Sequence, residues 1–509
     1  MPLWPAHVPT NHEPSSHPLN IFSIMFDDVL YDIHSDNDVG ATDAHNWSMK
    51  MRWLVTVIVC SIAGLVSFAA AVDSAAISQI ASEFHVSEEA ESLATAMYLF
   101  GYGVGSMVSG PFSETLGRSL VYIISLLMFM ISTAATGASN GLATQSVFRF
   151  FAGFFGASPM VCVGGSFSDF WTARQLNYVF PIFAISTFVG SALGPCVGAF
   201  LAEASPSWRW VDWITVIMAG AMLIVVVVFL PETFRPLLLK LKAREIQRYI
   251  RSGKHHDIPF QQVQKASFAR QILETIYRPF VLIIREPIVI LVALYLTIIF
   301  VILFTSLNGY AFIFGKTYGF TQSQTGLCFL AMLLGNCLVI PLVPVTYNLY
   351  CRDLRHFRYS DDYSDTSSTE DITMPPPENQ LYSAMFGAPF IPLSLFSMAF
   401  TTSPDITPWA PILSSVPFGF GFTTVFISCY QYVMDSYGIW SASALASVNL
   451  ARCLVTGVMM MVTIPLYTNL GVRWSLMLVG VLSTAMVPVP YAFYKWGYVL
   501  RRKSRNALG

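Results

Sequence analysis

Charge is what this sequence has least of. Only 11% of its 509 residues are Asp, Glu, Lys or Arg, against 54% hydrophobic, and mean hydropathy is +0.57. A water-soluble domain carries roughly 25% charged residues to cover its surface, so that class is excluded. A formal net charge of −2 also excludes the basic stripe that nucleic acid requires. The first 45 residues lack a basic segment followed by an apolar one, so they read as a disordered cytoplasmic tail, not a signal peptide. Cysteine is scarce too. Of eight, seven (Cys60, Cys162, Cys196, Cys328, Cys337, Cys429, Cys453) lie inside apolar runs, with no CxxC spacing and none in an expected external loop. Neither a disulfide framework nor a zinc site follows, and no cofactor is expected.

What the sequence has in plenty is apolar runs long enough to cross about 30 Å of hydrocarbon. They fall near Trp53–Ile80, Ser92–Pro111, Leu120–Ala138, Ala143–Phe167, Leu176–Leu201 and Val211–Leu230. Six more follow near Pro287–Asn308, Gln324–Tyr347, Leu381–Thr401, Trp409–Tyr430, Trp440–Leu466 and Trp474–Tyr494. The expectation is an all-α membrane protein with twelve transmembrane helices in two six-helix bundles. The bundles span residues 46–232 and 286–496, joined by a cytoplasmic loop at 233–285. Basic residues set the orientation. The central loop, Arg118, Arg174, Arg352, Arg355, Arg358 and the tail from 497 to 509 share one side; only Arg209, Lys316 and Arg473 face the other. Positive charge stays inside, so both termini are expected in the cytoplasm. Phe234–Ile250 mixes Leu with Lys and Arg at helical spacing and should lie along the inner surface. The loop 348–380 carries an acidic Ser/Thr tract, Asp361–Asp371, that reads as a solvated linker with phosphorylation conceivable at Ser367 and Ser368.

Between the second and third runs stands Gly110-Pro111-Phe112-Ser113-Glu114-Thr115-Leu116-Gly117-Arg118. A carboxylate and a guanidinium there can bridge helix ends when one face closes and separate when it opens; a solvated turn is the plainer alternative. This turn resembles the signature loop of the major facilitator superfamily, with Thr115 and Ser119 in place of two arginines. Further segments are similar to the twelve-span fungal drug:proton antiporters of that superfamily. These are Asn46-Trp47-Ser48 with Lys50 and Trp53; Arg149-Phe150, Gly153, Gly156-Ala157 and Pro159; and Gly164-Gly165 with Asp169 and Trp171. Gly194-Pro195 with Gly198, Leu230-Pro231-Glu232-Thr233-Phe234, Arg285-Glu286-Pro287 and Tyr318-Gly319-Phe320 complete the match from Asn46 to Trp496. The resemblance implies two bundles around a midplane cavity, alternating access, residence in the cell membrane as a multi-pass monomer, and proton-coupled efflux of drugs, polyamines or fungal toxins. It also implies that Gly110, Glu114, Gly117, Arg118, Asp169 and Arg174 form a gate, and that Gly194, Pro195 and Gly198 bend the fifth span.

Ionisable residues inside apolar runs are few and therefore informative. Asp73 in the outer half of the first run is a candidate proton carrier, with Arg149 in the fourth able to influence its protonation or to bind an anionic ligand; an Asp reaching water and an inter-helix tie are the bland alternatives. Arg452 in the eleventh, with Asn449 one turn away, points to a cavity. Phe304, Asn308 and Tyr310 of the seventh offer an aromatic wall with one amide, suited to an amphipathic organic ligand or to plain packing. Asp212 is read as an interfacial partner of Arg209. Glycines at 101, 103, 105, 153 and 156 leave small faces for close helix approach. Gly101-Tyr102-Gly103-Val104-Gly105 is no phosphate loop, for no strand precedes it, and Gly137-Ala138-Ser139-Asn140-Gly141 is no nucleophile elbow. An enzyme is therefore not expected. One acid and two arginines argue against a polycation, leaving a neutral or acidic small-molecule substrate such as an aromatic fungal toxin. An importer of the same fold and a non-transporting membrane sensor remain as rivals.

Overall fold

The structure, a computed structural model, describes residues 44–205, 207–234, 237–238, 268–349, 352 and 376–504. Most of Phe234–Ile250 and the whole tract Asp361–Asp371 lie outside the described residues.

Long apolar runs with no water to satisfy their backbone must close every hydrogen bond internally, and the helix does this within one segment. Among the described residues, all regular structure is helical. Ten stretches are long and apolar enough to cross a membrane. In chain order they are Met49–Ala75 (span one), Arg118–Gly137 (three), Leu142–Phe170 (four), Gln175–Ala204 (five), Trp210–Phe229 (six) and Pro287–Thr317 (seven). Gln322–Leu349 (eight), Pro377–Thr401 (nine), Trp409–Tyr437 (ten) and Ser441–Arg502 complete the series. The last is two spans, eleven and twelve, because Gly471 at φ +75° breaks the helix path between them. Span two is Glu88–Leu116, whose 29 residues are long enough to cross at about 1.5 Å per residue. Three acids in its first turn, Glu88, Glu89 and Glu91, lower its apolar signal and stabilise its N-terminus. The expected twelve spans are thus present.

Sequence-local chemistry sets where the spans begin. Ser48 and Ser87 accept hydrogen bonds from the backbone N–H groups of Met51 and Ala90. Reciprocal capping boxes, Thr172 with Gln175 and Thr321 with Gln324, start spans five and eight. Span one ends in a 3-10 turn, Val72–Ala75, that carries Asp73.

Glycine decides which helices touch. A methyl group on Gly101 would strike the carbonyl of Phe150, and one on Gly153 would strike that of Tyr98, so spans two and four lie backbone to backbone. Gly335 and Gly419 do the same for spans eight and ten. Outward faces carry Ile224, Val228, Leu294, Leu413 and Val481, all more than half exposed; in a bilayer that surface meets lipid. Span two packs against span eleven, and span five against spans eight and ten. These contacts form the seam between the bundles.

Candidate functional site

A buried ion cluster joins three spans of the first bundle. The guanidinium of Arg149 (span four) contacts the carboxylate of Asp73 and lies 2.6 Å from Oδ1 of Asp212 (span six). Its Nη1 also donates to the carbonyl of Ala69 in span one at 3.2 Å. Asp73, Arg149 and Asp212 are 5%, 3% and 1% exposed, so water screens none of them. Two carboxylates share one guanidinium: with both ionised the cluster carries one uncompensated negative charge, and with one proton bound it is neutral. One helical turn before Arg149, Gln145 donates to Oε1 of Glu91 at the start of span two (2.9 Å), and Glu91 is 2% exposed. The expected pairing of Asp212 with Arg209 is corrected. Arg209 instead holds Glu83 at 2.6 Å and donates to the carbonyl of Ser139. The hydrogen bond from Arg209 holds the Glu83 carboxyl below its ordinary range.

The motif turn is built as a buried network. Gly117 at φ +98° gives the chain its reversal between spans two and three, a conformation that L side chains rarely adopt. Arg118 lies 3.5 Å from Asp169 at the end of span four and donates to Ser113 Oγ at 2.5 Å. Its guanidinium also faces the ring of Phe234 at 5.1 Å. Span three starts with unsatisfied N–H groups, and Glu232 supplies their acceptors, taking Arg118 N at 2.9 Å and Ser119 N at 3.1 Å. The same carboxylate accepts from Thr233 N and Phe234 N, and burial still raises its pKa. Gly110 lies within the last turns of span two, and the side chains of Glu114 and Arg174 lie outside the described residues. Arg118 and Asp169 therefore come together, with Ser113 and Glu232 as partners not assigned from sequence.

Span five is helical from Ala173 to Ala204, with Gly194 and Pro195 inside it. A Cβ on Gly194 would lie 2.7 Å from the carbonyl of Phe68, and one on Gly198 2.5 Å from that of Val72. These glycines press span five onto the stretch of span one that leads into Asp73.

In the second bundle Arg452 is 5% exposed. Its guanidinium lies over the ring of Phe300 at 3.8 Å, with Phe426 and Tyr430 at 5.6 and 5.9 Å. Nη2 donates to Asn449 Oδ1 at 2.7 Å, and Tyr430 Oη donates to the same oxygen at 2.5 Å. Nε and Nη1 have no hydrogen-bond partner. Phe304 sits one turn from Phe300, ring centroids 6.4 Å apart. Asn308 donates to the sulfur of Met460. Tyr310 instead packs into the bundle, stacked on Phe329 of span eight at 4.2 Å.

The bundles meet closed at both ends. On the face opposite the basic residues, Gln79 donates to Gln322 Oε1 at 2.9 Å and Ser323 N donates to Glu203 at 2.7 Å. On the basic face, Gln380 donates to Asn177 Oδ1 at 3.0 Å and Gln431 to its carbonyl at 3.3 Å. Between Asn177, Pro181, Tyr347, Ile427 and Gln431 runs a crevice of ≈ 30 Å³, room for a water molecule or two rather than an organic ligand. This crevice lies at the basic end of the seam, beside the contact of Asn177 with Gln380.

The Major Facilitator Superfamily model matches residues 57–460. The chain belongs to that superfamily. It is 40% identical over 479 residues to the MFS-type transporter kojT of Aspergillus oryzae, covering 94% of this chain and 83% of that protein. It is 32% identical to the MFS-type efflux pump MFS2 of Trichophyton rubrum (91% and 75% covered). It is 30% identical to the citrinin biosynthesis cluster MFS transporter mrr1 of Monascus ruber (90% and 89%). Its fold is that of the proton:xylose symporter XylE, at a TM-score of 0.60 and 15% identity over 88% of this chain and 96% of that one. The protein is a multi-span membrane transporter of this superfamily, and its fungal relatives include a citrinin biosynthesis cluster transporter and an efflux pump.

Proposed function

We propose that this transporter exports small amphipathic organic molecules, fungal secondary metabolites above all, in exchange for protons, as the drug:proton antiporter group of its superfamily does. The observation that carries the coupling is the Asp73–Arg149–Asp212 cluster. An uncompensated charge in a dry interior costs several kcal/mol, so one carboxylate holds a proton while the cluster stays closed. Movement of span one against span four takes Asp73 away from Arg149 and changes where that proton rests. Span five, pressed onto span one by Gly194 and Gly198, ties that movement to the seam, so proton and substrate alternate across the bundles. The basic face is the cytoplasmic one, the membrane is the cell membrane, and the working unit is the monomer.

Two of the relatives, an efflux pump and a citrinin biosynthesis cluster transporter, favour the outward direction and a secondary-metabolite cargo. The experiment uses purified protein in proteoliposomes with an imposed pH gradient and a labelled efflux-pump substrate. Asp73→Asn is expected to end gradient-driven accumulation while exchange without a gradient continues. Full gradient-driven transport by that variant would overturn the role of Asp73.

A further inference from the structure

Arg452 stands apart from the other buried cations. Arg149 pairs with two carboxylates and Arg118 with that of Asp169, whereas no ion pair to Arg452 is found among the described residues. Its surroundings are ring faces, the Asn449 amide oxygen and the Cys453 thiol, and no carboxylate pairs with Nε or Nη1 at 5% exposure. A guanidinium cannot shed its proton in a protein, and in a membrane interior an unbalanced charge marks a functional site whose partner has to be named. Ring faces repay part of the lost hydration, and they leave N–H donors at Nη1, beside the engaged Nη2, to take a carboxylate oxygen.

The position fits a ligand that comes and goes. Cys453, the next residue, sits 3.2 Å from where a Cβ of Gly103 in span two would be, so Arg452 lies at the seam of the two bundles. Across that seam Phe180 of span five faces Tyr430 of span ten, centroids 6.1 Å apart and planes within 22°. Parting the bundles opens a slot between two near-parallel rings, with the guanidinium alongside. Ile427 and Gln431, each one residue on from Phe426 and Tyr430, line the crevice beside Asn177 and Gln380, as does Pro181, the residue after Phe180.

We propose that Arg452 is the docking group for a planar aromatic anion, its carboxylate or enolate taken by the free N–H groups and its ring by the Phe180–Tyr430 slot. This rests on the reading of the protein as a transporter and names its substrate class. Substrate arrival supplies the charge that Arg452 lacks, so the loaded and empty seams differ by one neutralised cation.

The test is equilibrium binding to full-length protein in nanodiscs, without any proton gradient, so it does not depend on Asp73. Salicylate, 1-naphthoate and anthracene-9-carboxylate are compared with their neutral amides by calorimetry. The acids are expected to bind about tenfold or more tighter than the amides, as a charge-assisted pair requires. Arg452→Gln is expected to erase that preference and Arg452→Lys to restore part of it. Phe180→Leu, which removes one wall of the slot and keeps the charge, covers the case in which Arg452→Gln does not fold: it is expected to weaken binding of the aromatic acids, and unchanged binding would overturn the slot. Equal binding of acids and amides, no binding of any acid, or a preference that survives in Arg452→Gln would overturn the assignment. Loss of coupling in Asp73→Asn with the acid preference intact would leave it standing.

Discussion

Asp212 of span six lies 2.6 Å from Arg149 of span four, with both side chains sealed from solvent. Asp73 contacts the same guanidinium from span one, so either acid alone can still balance Arg149. The single variants Asp73→Asn and Asp212→Asn are therefore expected to fold, with melting temperatures near that of the parent. The double variant strands a buried cation, which costs about 3–5 kcal/mol when a partner is removed. Thermal unfolding followed by size-exclusion fluorescence checks this: a double variant as stable as the singles would show that Arg149 does not depend on these acids.

Glu91 and Gln145 tie spans two and four one turn further along from the cluster. Glu91→Gln preserves a hydrogen-bonding oxygen and is expected to change stability little. Glu91→Ala leaves the amide N–H of Gln145 buried and unpaired, a loss of about 1–3 kcal/mol. The two melting curves separate a structural tie from a need for charge, since a need for charge would make Glu91→Gln the damaging change.

The spans were legible because lipid asks for long apolar runs and little else does, and Gly471 alone parts eleven from twelve. The ends of span two were not, since Glu88, Glu89 and Glu91 make its first turn look like a loop. Arg149, Asp73 and Arg452 could be picked out as charges in apolar surroundings. Their partners could not. Asp212 sits three residues from Arg209 in the chain, yet it turns toward Arg149, 63 residues away, while Arg209 turns to Glu83. Gly194 and Gly198 were expected to bend span five; what the chain alone does not show is that both lie against the backbone of span one. Long-range helix packing decided each of these, and periodicity along one chain does not record it.

Glu232 accepts the leading N–H groups of span three, and burial raises its carboxyl above the ordinary glutamate value. The folded protein then holds a proton there that the unfolded chain releases. That contribution to stability is complete below the ordinary value and is lost as pH rises through the raised one. Glu232→Gln mimics the protonated form. Its melting temperature is expected to be less sensitive to pH across the acidic range than the parent's, and parallel curves for the two proteins would contradict the assignment.

Gln79–Gln322 and Asn177–Gln380 close the seam at opposite ends, so alternating access requires that each pair part while the other holds. Cysteine pairs at these positions, placed in a background freed of the eight native cysteines, report on this directly. Oxidative cross-linking of either pair alone is expected to stop transport, and reduction to restore it. A pH gradient that drives transport is expected to raise cross-linking at one pair and lower it at the other, because the same rocking motion cannot open both ends. Transport that continued with either pair locked would mean that substrate does not pass between the bundles at all.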